Sequence, residues 1–178
     1  MKKNGWRNYQ KRKGNGAIWR INKFDLRQFA GKEKTLIDLG ANHGEFGIEL
    51  AQDFQSITAV EPFTEAPKLP KNMIWVKKGF KDYVSENTDT FDVVFSFAMT
   101  KQVKEKDNLE EDKIAIGHYN LTKQGGIMIY ETQKLENRPL NKIHVDKMLL
   151  EFREKYGQEI VSGNARESGK RKYYVFKK

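Results

Sequence analysis

The chain of 178 residues contains no cysteine. That removes disulfides, thiolate metal ligands and a cysteine nucleophile together. Histidine is scarce as well: His43, His118 and His144 stand singly, no pair has metal-ligand spacing, and no metal is expected. No apolar run approaches the ~20 residues needed to cross a bilayer. The basic N-terminus is not followed by the apolar stretch of a signal peptide. These absences lead to the expectation of a soluble, cytoplasmic protein with no membrane partner, of a size that fits one full-cored domain.

Acid is missing from the N-terminal end and nearly so from the C-terminal one. Residues 1–23 hold eight Lys or Arg and no Asp or Glu, and residues 164–178 hold six basic residues against Glu167. With a formal net charge of +9, removing +8 and +5 leaves the central stretch at −4. The basicity therefore belongs to two flanks of an ordinary core. Such flanks suit a polyanionic partner, an anionic acceptor such as RNA, met through the Lys and Arg of both ends. They also suit a solvated tail that serves solubility. Residues 1–23 read as a basic, partly mobile arm and 24–178 as the folded domain. Trp6, Tyr9 and Trp19 lie among the arm's charges, where they either stack unpaired bases or pin the arm to the domain.

What the centre does have is alternation. "KTLIDL" (34–39), "SITAVE" (56–61), "MIWVK" (73–77), "FDVVFSF" (91–97) and "GIMIY" (126–130) are short, apolar and rich in β-branched or aromatic residues, as buried parallel strands are. Phe46, Leu50, Ala51 and Phe54 form one helical face between the first two. A weaker helix spans Leu109 to Leu121 and closes at Lys123–Gly126. Val145, Met148, Leu149, Phe152 and Tyr156 make a cleaner stripe. "EIVSG" (159–163) and "KYYVFK" (172–177) are two further strands. The pattern is that of a doubly wound α/β sheet. Pro62, Pro67 and Pro70 exclude a regular crossover helix between the second and third strands.

In such sheets ligands lie beyond the carboxyl ends of the strands, where the strand order reverses. Asp38 ends the first strand. The loop Gly40-Ala41-Asn42-His43-Gly44 follows, and its glycines let a ligand approach the backbone. Glu61 ends the second strand, where a carboxylate can accept hydrogen bonds from both hydroxyls of a ribose. The dinucleotide fingerprint G-x-G-x-x-G is absent. Pyrophosphate beside Asp38 and Glu45 would also set anion against anion. A nucleoside carrying a cationic group fits better.

This arrangement resembles the class I S-adenosylmethionine-dependent methyltransferases. The parts are "IDLGANHGEF" (37–46), "VEPF" (60–63), "FDVVFSFAMT" (91–100) and "LTKQGGIMIYE" (121–131). The resemblance implies a three-layer sandwich around a seven-stranded, mostly parallel sheet with an antiparallel C-terminal hairpin. It also implies S-adenosyl-L-methionine as cofactor. Asp38 to Gly44 would cradle its methionine part, with Ser96 at the end of the fourth strand, Glu61 on the ribose, and Pro62 or Phe63 beside the adenine. The family often places an acid after the third strand; here the residues are Gly79-Phe80, so Phe80 would stack on the adenine. For Phe63 and Phe80, plain core packing is the competing reading.

The acceptor is less constrained. An activated methyl needs mainly in-line positioning of a nucleophile, and a hydroxyl or protonated amine also needs a base. "SFAMTKQ" (96–102) lacks the N-P-P-Y type signature, which argues against transfer to a base amino group. Thr100 and Lys101 fall where the acceptor should lie, with Glu131 and Gln133 after the fifth strand. More narrowly, "SFAMTKQV" (96–103), "GGIMIYETQ" (125–133) and "GKRKYYVFKK" (169–178) resemble the methylphosphate capping enzymes of small RNAs and related bacterial and phage methyltransferases of unassigned substrate. That likeness implies RNA or another phosphate-bearing acceptor. A small molecule or glycan as acceptor, or a nucleic-acid-binding module without turnover, are the alternatives.

Overall fold

A computed structural model describes residues 16–132, 139–165 and 171–178, the side chains of residues 139–141 excepted. Thirteen elements alternate along them: α1 (Gly16–Lys23), β1 (Gly31–Leu39), α2 (Glu45–Leu50), β2 (Phe54–Val60), β3 (Met73–Val76), α3 (Phe80–Glu86), β4 (Phe91–Phe97), α4 (Thr100–Asp107), α5 (Glu111–Leu121), β5 (Thr122–Glu131), α6 (Pro139–Tyr156), β6 (Val161–Asn164) and β7 (Lys172–Lys177). One sheet takes all seven strands in the order β3-β2-β1-β4-β5-β7-β6. The first five are mutually parallel, and β7 runs antiparallel to both β5 and β6. The expected three-layer α/β sandwich with its antiparallel terminal hairpin is what forms.

The strands alternate between two buried faces because both sides of the sheet are covered. Ile37, Leu39, Val94, Met128, Tyr130 and Phe176 pack with α3 to α6, against the stripe of Val145, Met148, Leu149, Phe152 and Tyr156. Leu36, Phe95, Ile129, Tyr173 and Val175 pack on the other face beneath Ile21 of α1, Phe24, Leu26 and Leu50 of α2. Strand order reverses between β1 and β4, so the crevice of this fold opens above their carboxyl ends.

Several local expectations give way to tertiary context. Phe54 opens β2 rather than closing the α2 face, because α2 stops at Leu50 and a single tight turn, Ala51–Asp53, carries the chain into the strand. Residues 122–125 join β5 instead of closing a helix. Phe91 faces Thr122 while Val93 faces Ile127, so the chain bulges around Gly125, which sits at φ +76°. The stretch with three prolines is irregular, as expected, with no helix between β2 and β3. Residues 16–23 of the basic segment form α1, with Ala17 and Ile21 buried. Trp6 and Tyr9 lie outside the described residues, while Trp19 is 36% exposed on α1.

Candidate active site

The loop after β1 is built by backbone hydrogen bonds to its neighbouring strand. The N–H groups of Gly40 and Ala41 both donate to the Val60 carbonyl, at 2.9 and 3.2 Å, and Gly44 N–H donates to the Ala41 carbonyl at 2.8 Å. Gly40, Asn42 and Gly44 take φ of +74°, +53° and +71°, a left-handed path that glycine follows without strain. Space imposes the same choice. A Cβ on Gly40 would lie 3.3 Å from Met99 Cβ, and one on Gly44 would lie 3.1 Å from Trp75 Cζ3. The turn after β4 and the β3 side chains therefore close directly on this loop.

Glu61, just past β2, holds the loop's far side. Its Oε2 accepts from Asn42 N–H at 3.0 Å and its Oε1 from Phe63 N–H at 2.8 Å. Each oxygen keeps a further lone pair for a ligand hydroxyl. Ala41 is buried, whereas the side chains of Asn42 and His43 are exposed. Pro62 is half-buried and Phe63 is 57% exposed at the rim.

Asp38 is the least comfortable group in the crevice. It is buried, its Oδ2 has no hydrogen-bond partner among the described residues, and burial pushes its carboxyl up to about 7, with the charge of Glu61 adding to the rise. Ser96, at the carboxyl end of the adjacent β4, likewise has a buried Oγ without a partner. An unsatisfied carboxylate beside a second acid is a site for a cationic group carrying hydrogen-bond donors. The donor set thus fits an amino-acid-bearing nucleoside with positive charge, for which Asp38 and the loop would take the charged part and Glu61 the ribose.

Thr100 and Glu131 on the acceptor side, and Phe80 on the adenine side, are placed differently from expectation. Thr100, the first residue of α4, is buried, and its Oγ1 lies 2.9 Å from Tyr130 Oη in a closed hydroxyl pair. Lys101 instead stands partly exposed on the first turn, 3.2 Å from Glu105. Phe80, set beside adenine by the family resemblance, packs into the core. It is 5% exposed, lies against α5 near Gly117, and stacks on His118 with ring centroids 5.0 Å apart. Glu131 is fully buried and occupied by two guanidiniums: Arg20 bonds both of its oxygens through Nε and Nη2, and Arg171 Nη1 donates to Oε1 at 2.8 Å. Gln133 lies outside the described residues. His118 is buried too, held neutral with its pKa drawn down to about 4 by desolvation.

A family model described as a methyltransferase domain matches residues 17–163. The chain belongs to that family. It is an S-adenosylmethionine-dependent methyltransferase of class I, and its cofactor is S-adenosyl-L-methionine. Solved structures share this methyltransferase's fold at low identity. The N-methyltransferase NodS from Bradyrhizobium japonicum WM9 superposes with a TM-score of 0.70 at 12% identity, over 90% of this chain and 96% of that one. The same protein in complex with S-adenosyl-L-homocysteine gives a TM-score of 0.66 at 12% identity, over 92% and 93%. A putative methyltransferase from Streptococcus mutans gives 0.66 at 16% identity; the chain is covered over 92% and spans 50% of that larger one. No curated protein matches the sequence.

Among the described residues no group of three or more His, Cys, Asp or Glu could hold a metal ion, and no helix is long and apolar enough to cross a membrane. The sequence alone did not single out Arg20, Arg171, Met99 or Tyr130. The two arginines were hidden in basic runs, and only their shared carboxylate, 111 and 40 positions away, distinguishes them from their neighbours.

Proposed function

We propose that this methyltransferase methylates a phosphate-bearing acceptor, an RNA 5′ end above all, by in-line transfer. The observation that carries the reading is the fate of Glu131. It is the one carboxylate expected on the acceptor side among the described residues, and it is buried between Arg20 and Arg171. Both of its oxygens are already taken by guanidinium donors, so it is not placed to accept a proton from an acceptor. His118, which could otherwise serve as a base, is sealed in the core at a pKa of about 4. A hydroxyl or ammonium acceptor would need such a base, whereas a phosphate oxygen is already a nucleophile at neutral pH.

When bound, the cofactor would supply a methyl group activated by a positively charged sulfur. The chain's own residues bind and orient. Asp38 and Glu61 fix the cofactor's polar groups, the glycine loop lets it lie against the backbone, and cationic side chains hold the acceptor's phosphate in line. The basic residues of the two chain ends support a polyanionic rather than a small acceptor. Incubation with methyl-labelled S-adenosylmethionine and fractionated cellular RNA, protein and small molecules tests the assignment. Label in the RNA fraction that an RNA 5′-end trimming enzyme releases as a methylated phosphate supports it. Label confined to protein or to small molecules lacking phosphate overturns it.

A further inference from the structure

Each basic end of the chain sends one arginine to the same carboxylate. Arg20 comes from α1 and Arg171 from the residue before β7, and Glu131 ends β5 between them. Glu131 side-chain exposure is 0%, while the arginine side chains keep 15% and 14%. The carboxylate is thus the buried floor, and the guanidiniums reach the solvent side.

One arginine suffices to neutralise a buried carboxylate. A second leaves a net positive charge in a part-buried cluster, which is unfavourable unless an anion offsets it. Both cations are also held in place. Arg20 is fixed bidentately on Glu131, and its guanidinium carbon stands 5.9 Å from the centroid of Phe46. Arg171 is tied by its carbonyl to Ala165 N–H at 2.8 Å, and Lys172 beside it exchanges bonds with Thr132. Arg171 engages Glu131 through Nη1 only, which directs the rest of its fork elsewhere. The location matters as well: Glu131 pairs in register with Phe97, the last residue of β4, at the carboxyl edge of the sheet where the crevice opens.

We propose that Arg20 and Arg171, oriented by Glu131, form the receptor for a phosphate group of the acceptor. This rests on the reading of the acceptor as phosphate-bearing and adds which residues take the phosphate. Arg20 spends its Nε and Nη2 on Glu131 and its Nη1 lies 3.4 Å from the Gly16 carbonyl, so it contributes mainly charge, while Arg171 brings the fork that suits two phosphate oxygens; preorganisation on a buried carboxylate reduces the entropy lost on binding. Arg171 is the residue to test, because its removal leaves the bidentate Arg20–Glu131 pair to hold the fold.

The experiment measures binding of a 5′-phosphorylated oligoribonucleotide and its 5′-hydroxyl counterpart by fluorescence anisotropy, with inorganic phosphate as competitor. Wild type, Arg171→Gln, Arg171→Lys and the distant surface variant Lys81→Gln are compared, with circular dichroism melting and S-adenosylhomocysteine affinity as checks of folding. Wild type should prefer the phosphorylated end, and Arg171→Gln should lower that preference by about 10- to 100-fold, the range for losing a charge-assisted hydrogen bond. Arg171→Lys should restore part of it and Lys81→Gln should keep all of it. Competition by millimolar inorganic phosphate would place the recognition in the phosphate itself, whereas its failure to compete would overturn a phosphate receptor. A wild-type preference unchanged in folded Arg171→Gln overturns the receptor and leaves the acceptor reading standing. Absence of any preference in wild type overturns both.

Discussion

Asp38 and Glu61 stand at the ends of adjacent parallel strands, yet only Glu61 is satisfied. It accepts two backbone N–H groups, while Asp38 keeps a buried oxygen with no partner among the described residues and a carboxyl raised to about 7. The pair is therefore poised for a ligand that brings positive charge and donors to Asp38.

The raised Asp38 value gives a pH prediction. The folded state holds this proton more tightly than the unfolded chain, whose Asp titrates near 3.9. Its contribution to stability is thus full in acid and is lost as pH rises through about 7. The stability of wild type relative to Asp38→Asn should fall from about pH 4 and level off above about pH 7 in urea titrations. Affinity for S-adenosylmethionine should move the opposite way, rising with pH in wild type more than in the variant, because the cation prefers the ionised carboxylate. Parallel curves for the two proteins would remove Asp38 from the site.

Loop geometry makes a second prediction. Glu61→Ala strands the N–H groups of Asn42 and Phe63 and removes the proposed ribose acceptor, and should weaken S-adenosylhomocysteine binding by about 1–3 kcal/mol in calorimetry. Gly40→Val places a branched residue at φ +74° with its Cβ against Met99, and the strain alone is about 1–3 kcal/mol. Neither variant nor wild type should bind NAD measurably.

The hydroxyl pair of Thr100 and Tyr130 predicts non-additivity. Tyr130→Phe or Thr100→Val alone leaves one buried hydroxyl without its partner and should cost about 1–3 kcal/mol of stability. The double variant should lose clearly less than the two losses summed, as measured by a double-mutant cycle in urea. Additive losses would mean that the pair is not a structural unit.

Removal of residues 1–15 takes away six Lys or Arg and leaves α1 with Arg20 in place. S-adenosylhomocysteine affinity should be unchanged, because the glycine loop and Glu61 remain. RNA affinity should fall, and its dependence on salt should become shallower as phosphate contacts are lost. Loss of cofactor binding instead would make this segment part of the cofactor site.

All seven strands were legible in the sequence, because β-branched and aromatic runs bounded by polar turns leave little else for a buried segment to be. β4 and β7 begin and end where the pattern puts them, and the others differ at their ends. Helices α3 and α4 were not legible. Phe80 and Tyr83 are the buried residues of α3, and Thr100 and Val103 those of α4, too few for a periodic stripe. The glycine loop after β1 and the acids beside it could be read locally, since glycines and acids at strand ends are close in sequence. The acceptor side could not. Whether Glu131 is a base or an anchor depends on Arg20 and Arg171, which chain folding alone brings to it, and Phe80 is claimed by His118 through α5 packing.

One measurement reaches the acceptor directly: transfer of labelled methyl from S-adenosylmethionine to a 5′-phosphorylated oligoribonucleotide, set against the same oligomer with a 5′-hydroxyl. The prediction is label on the phosphorylated end alone, stable to phosphatase and lost when Glu61→Ala or Arg171→Gln replaces the wild type. Equal labelling of both oligomers, or labelling of internal bases, would contradict it.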